Sequence, residues 1–210
     1  MRLEKYVIEE IGTTSRSLVE AKEVLKRECK LYFNLLKKTN SKEPLYRGLY
    51  HTGFFVKKKV RTDREPMGMD IDHFNALNKF LKRNGHVPRN ASVSVSPEYD
   101  HTVMFGVSHY FFPAGDFDFT VYVNKDHSED INFSIGFKGM LDRYAKFEPD
   151  KDSLLKPYFK SNDMTAFRKA LKLGSEIWFG CDHYYGVNVD LLIKLFGIGR
   201  ADALKELGGY

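Results

Sequence analysis

What most constrains this chain is the order of its patterns. One long amphipathic helical stretch comes first, and the body after it is cut into short strand-like runs by glycine and proline. Residues 16–38 carry Leu18, Val19, Leu25, Cys29, Tyr32 and Leu36 near one helical face, with Thr13, Thr14 and Ser15 as candidate caps. Residues 45–50 read as a short strand that 53–56 extends or re-pairs, and a polar stretch follows from Lys57 to Gly68. Asp70 caps a helix bearing Ile71, Phe74, Leu77, Phe80 and Leu81, which Gly85 ends. Residues 91–96 alternate Ser and Val, and 103–112 are strand-like but interrupted by Gly106. Residues 116–123 alternate as a half-buried strand should, and 127–147 read as a helix followed by a turn. Asn162 or Asp163 caps a further helix that stops at Gly174. Residues 176–181 form a buried-type strand, 184–187 an edge strand, and 191–207 two short helices around Gly197-Ile198-Gly199. A helical start before a strand-rich body predicts an α+β fold. With no repeat or linker, one domain is expected over 1–210, with a helical segment at 1–40 and a helical hairpin at 189–210.

Composition adds bounds rather than an activity. The chain is 42 % hydrophobic and 29 % charged, as in ordinary globular proteins, and long enough to bury a sizeable core. Its 17 Phe and 12 Tyr suit twisted sheets and equally suit a pocket that stacks on a planar ring. The net charge of +5 permits a polyanionic partner or a nucleotide, although the basic runs at 57–61 and 79–83 also read as solvated faces. Cys29 and Cys181 have neither metal nor redox spacing, and the scattered histidines form no ligand pair, so no metal is expected. The charged N-terminus lacks a signal peptide's apolar core, and no apolar run approaches the ~18 residues that span a bilayer. A reducing cytoplasm without membrane contact is the expected setting.

Several residues can carry chemistry, each with a plainer reading beside it. Arg47 interrupts the apolar run Leu45-Tyr46-Arg47-Gly48. A guanidinium there is either a fork for phosphate or ribose, with Gly48 admitting the ligand to the backbone, or a surface arginine on an edge strand. Glu176 opens a strand of Ile177, Trp178 and Phe179, as a carboxylate at a strand mouth or as a solvating end group. Ser92, Ser94 and Ser96 share one strand face, lining a pocket or covering a wet sheet face. Arg61, Asp63 and Arg64 form the densest charge cluster, either a loop salt-bridge network or a recognition surface for a partner. The segment around Gly197 and Gly199 is similar to a helix-hairpin-helix, whose turn presents N–H groups to a nucleic-acid phosphate; a tight helix–helix turn explains it as well.

Arg47 on a first strand, Ser94-Val95-Ser96 on a later one and Glu176 opening a late one resemble the Arg…Ser…Glu order of the ADP-ribosyltransferase superfamily. The stretch from Val60 to Pro66, the Phe112-Pro113-Ala114-Gly115-Asp116 run and Cys181-Asp182-His183-Tyr184-Tyr185 look like bacteriophage members. Among these the chain resembles the anti-DarT group of T-even phages, which counters a host toxin that ADP-ribosylates DNA. The resemblance implies a split β-sheet core with helices around it and NAD as the ligand. It gives catalytic roles to Glu176, Ser94 and Arg47, and a nicotinamide stack to Tyr99, Phe105 or Tyr110. It equally implies a non-catalytic factor that binds and blocks such a host toxin. Ser-Val-Ser replaces the usual Ser-Thr-Ser, and Gly174 stands where many members keep an acid or amide, which disfavours modification of an arginine side chain.

Overall fold

The N-terminal amphipathic stretch forms two helices rather than one: α1 (Leu18–Glu28) and α2 (Lys30–Thr39). The computed structural model describes residues 18–65, 71–122, 158–160 and 163–208, so the expected caps at Thr13–Ser15 and Asp70, Asn162, and the segment 127–147 lie outside the described residues. The break has a cause far along the chain. The backbone N–H of Gly115 donates to the Glu28 carbonyl at 2.8 Å, inserting a foreign donor into the helix ladder. Cys29 leaves helical geometry there, at φ −106° and ψ 22°. Periodicity predicts the apolar face and cannot report such an insertion.

Eight strands follow among the described residues: β1 (Tyr46–Leu49), β2 (Phe55–Lys59), β3 (Val93–Val95), β4 (Val107–Pro113), β5 (Phe117–Tyr122), β6 (Tyr158–Lys160), β7 (Ile177–Cys181) and β8 (His183–Asn188). They form two four-stranded antiparallel sheets, ordered β1-β4-β8-β2 and β3-β7-β5-β6. The remaining helices are α3 (Ile71–Arg83), α4 (Tyr99–Val103), α5 (Met164–Lys172), α6 (Val189–Phe196) and α7 (Ala203–Gly208). Mixed helices and antiparallel sheets agree with the α+β expectation. Among the described residues, no helix is long and apolar enough to cross a membrane.

Three local expectations change. The stretch 184–187 is not an edge: β8 lies between β4 and β2, and Tyr184 to Val187 are buried. The edge on that side is β2, whose Lys57 and Lys59 are exposed, so the basic run that reads as a solvated face also protects an open edge. Residues 103–106 are not strand. They close α4 and turn at Gly106, held at φ +123° against the Leu49 backbone. Asp163 does cap α5, its carboxylate accepting from the Ala166 N–H at 2.8 Å.

The core is aromatic and spans both sheets. Phe111 of β4 packs on Phe179 of β7 with ring centroids 5.1 Å apart. Tyr32 from α2 lies among Phe112, Phe117 and Phe179 at 6.0–6.3 Å. At one corner a single bridge links the sheets: Tyr46 N donates to Ser96 O at 2.7 Å and Ser96 N to Tyr46 O at 3.0 Å. Beyond it β1 and β3 part.

Candidate functional site

Where the sheets part, the outer edge of β3 presents carbonyls that no strand covers. An unpaired buried carbonyl costs free energy, so a partner must come from elsewhere. Arg47 Nη1 donates to Ser94 O at 2.8 Å, and Arg64 Nη1 donates to Ser92 O at 3.0 Å. With the Tyr46 bond to Ser96, three alternate carbonyls of one strand edge are thereby covered, those of Ser92 and Ser94 by guanidiniums. Arg47 and Ser94 therefore meet, but through the carbonyl. The orienting role that the sequence gives to the Ser94 hydroxyl belongs to an atom any residue would supply.

Arg64 does not stay with its sequence neighbours. Arg61 Nε pairs with Asp63 Oδ1 at 3.1 Å, and both side chains are exposed. Arg64 turns inward, and its own N–H donates to Asn90 O at 3.4 Å. Burial holds its guanidinium down at about 10, and the charges of Arg47 and Arg89 push the same way while Glu176 opposes them. Arg89 comes from the single turn Arg89–Ala91 before β3. Its Nη2 is 3.7 Å from Glu176 Oε2, and its Cζ lies 5.0 Å from the centre of the Trp178 ring. Ser94 and Trp178 are direct partners across β3 and β7, and Glu176 shares a face with Trp178 two residues on. Arg47, Ser94 and Glu176 thus reach one junction, joined by Arg64 and Arg89.

The remaining nominated residues lie on the other side of β1. Successive strand residues face opposite ways, so Gly48 points away from Arg47. A Cβ at Gly48 would fall 2.8 Å from the Phe105 carbonyl carbon and against Thr102 O; the chain itself fills the approach expected for a ligand. Tyr110 is fully buried, its ring 5.3 Å from Tyr46. The Tyr99 hydroxyl donates to Asp190 at 3.0 Å, and the Arg200 guanidinium covers its ring at 3.6 Å. Phe105 is partly exposed on that same Gly48 side. None of the three is placed to stack on a ligand held by Arg47. Tyr184 lies near Arg64 and Trp178 under Arg89.

Other nominated features resolve locally. Gly197 adopts φ +66°, and its N–H donates to Ile193 O at 2.9 Å, closing α6 rather than facing a phosphate. Gly174 adopts φ +68°, and the Glu98 carboxylate occupies the place of a side chain there. A cavity of about 440 Å³ lies between the end of α3 and β5, with His86, Asp118 and Lys160 at its wall and Pro88 and Ala91, on either side of Arg89 and Asn90, also lining it. Among the described residues, no group of three His, Cys, Asp or Glu side chains is arranged to hold a metal ion.

A second charged cluster forms at the helix break. Glu28 accepts from the Tyr185 hydroxyl and from Arg27 Nη2 at 2.8 Å, while His183 Nε2 stands 3.3 Å away and Lys57 Nζ 3.8 Å away. Burial pushes its carboxyl up, but the hydrogen bonds of Tyr185, Arg27 and His183 and the Lys57 charge outweigh it, bringing Glu28 down to about 2. His183 Nδ1 lies 3.1 Å from Asp182.

The sequence reading missed Arg89 and the inward turn of Arg64. Both stand in polar loops, and the carbonyls and carboxylate that distinguish them arrive from other elements. Compared with family models, with curated proteins and with solved structures, the chain matches none of them.

Proposed function

We propose that the junction binds NAD and supports transfer of its ADP-ribosyl group to an acceptor. The observation that carries this reading is the approach of Arg47 on β1, Ser94 on β3 and Glu176, just before β7, where two antiparallel sheets part. The cationic end suits the ligand's phosphates, whereas the nominated aromatic stack does not serve it. When bound, NAD supplies the ADP-ribosyl group and a nicotinamide leaving group. The protein's part is electrostatic and positional. Glu176 can accept ribose hydroxyls and offset positive charge that develops on the sugar as the glycosidic bond lengthens. Arg47, braced on Ser94 O, holds the phosphate side. Arg89 orients the Glu176 carboxylate from one flank.

The test is Glu176→Gln incubated with labelled NAD and mixed protein and nucleic-acid acceptors. Transfer and nicotinamide release should fall at least ~100-fold with the circular dichroism unchanged. A wild-type chain that performs neither reaction removes the reading.

A second reading is favoured by two observations: Arg89 already engages Glu176, and Glu98 covers Gly174. On that reading the chain is a non-catalytic counter-defence factor that binds and blocks a host DNA ADP-ribosyltransferase toxin. The exposed Arg61–Asp63 pair and the exposed Val103-Met104-Phe105 turn are its candidate contacts. Co-purification at low salt should then survive Glu176→Gln and fail in an Arg61/Asp63 double variant; a pair that does not associate ends this reading.

A further inference from the structure

Covering the free carbonyls of β3 requires one donor at each position. It does not require two full positive charges side by side. Arg47 and Arg64 hang from carbonyls two residues apart on one strand edge, about 7 Å along it, so both heads are fixed before any ligand arrives. A guanidinium carries five N–H donors, and each of these spends one on the strand. Arg47 Nε is buried and makes no hydrogen bond. Among the described residues neither arginine has a carboxylate within ion-pairing distance, whereas Arg61, in the same loop as Arg64, is paired with Asp63. Glu176, whose charge acts on Arg64, is paired with Arg89. Clustered guanidiniums withdrawn from water are costly unless an anion completes them.

We infer that Arg47 and Arg64, flanked by Arg89, form a preorganised binding site for a diphosphate-type oxyanion, with Arg64 as its principal fork. The inference goes beyond the proposed function, because the site is defined by phosphoryl oxygens and requires neither a nicotinamide nor a transfer step. A free diphosphate and the diphosphate inside a dinucleotide present the same oxygens. The recognition is bidentate: planar forks meet paired oxygens, and an ammonium cannot replace them. Trp178 is the only tryptophan of the chain, and Arg89 lies over its ring, so an anion that draws on Arg89 is reported by the protein's own fluorescence.

The experiment titrates inorganic pyrophosphate into the full chain at low salt, by calorimetry and by Trp178 fluorescence. The wild type should bind with a Kd below about 1 mM and show a fluorescence change. Arg64→Lys keeps a donor for Ser92 O and a positive charge, so it tests the fork even where Arg64→Met fails to fold. It should weaken binding about tenfold or more, while Arg61→Gln leaves it unchanged. A wild type that does not bind overturns the inference, as does Arg64→Lys binding like the wild type. Competition separates the two sources. Displacement by NAD assigns the site to a dinucleotide. Pyrophosphate binding that NAD cannot displace keeps the anion site and removes NAD from the junction. NAD binding that is indifferent to both Arg64→Lys and pyrophosphate sinks the inference and leaves the NAD reading standing.

Discussion

The two charged clusters of this molecule are built in opposite ways. At the helix break, one carboxylate, Glu28, is shared by a phenol, a guanidinium, an imidazole and an ammonium. At the sheet junction three guanidiniums gather around one carboxylate, and among the described residues Arg47 and Arg64 bond only to backbone oxygens. The first is a closed tie between a helix and β8, and its work ends when the chain folds. The second is satisfied in its backbone geometry and unbalanced in charge. Burial alone does not separate structure from function here; the sign and pairing of the charges do.

Acid should take the molecule apart in an order set by this contrast. His109 is fully buried, and burial, with His51 adding to it, holds it down at about 4; burial and Lys160 hold His86 at about 4 as well. Their folded values lie below the usual 6.5, so the unfolded chain takes up protons first as pH falls. Stability is therefore full above about 6.5 and declines toward pH 4, by on the order of 3 kcal/mol for His109 alone. Glu28, lowered from 4.5 to about 2, adds a second decline between those values, while Arg64, at about 10, stays charged throughout. Urea unfolding at several pH values reads both legs, and His109→Gln should flatten the first.

Breaking the closed tie comes next in size. Glu28→Ala strands the Tyr185 hydroxyl and places His183 and Lys57 side by side without their acid, for a loss of about 2 kcal/mol by chemical denaturation. Arg64→Met should cost less, about 1 kcal/mol without ligand. It loses the bond to Ser92 O but also relieves repulsion with Arg47 and Arg89. If Arg64→Met costs more than Glu28→Ala, the distinction between tie and binding site collapses. Smallest of all, Arg61→Ala and Asp63→Ala should leave the unfolding midpoint where it is, because their pair is solvent-exposed.

Much of the fold was legible because it follows local rules. The buried face of α3, the Asp163 cap, and the left-handed glycines Gly85, Gly174 and Gly197 at helix ends all follow from period and cap chemistry. The site was legible in part. Arg47 and Glu176 stand out as charges in apolar strands, and both reach the junction. Strand alternation and the α4 packing put Tyr99, Phe105 and Tyr110 on the far side of β1 from Arg47. Arg64 could not be told from Arg61, since both stand in one polar loop.

The sequence by itself determined most of the helices and strands, and the presence of charges that apolar runs cannot bury alone. It did so because period, caps and glycine conformation act over a few residues. Only the tertiary structure decided which edge of β3 would lie open, that β2 rather than β8 would be the outer strand, and that Gly115 would interrupt the first helix. It also decided that Arg64 would turn inward to Ser92, since a carbonyl or carboxylate brought from a distant element leaves no trace in local pattern. The junction owes its charge to the sequence and its convergence to the pairing of the strands.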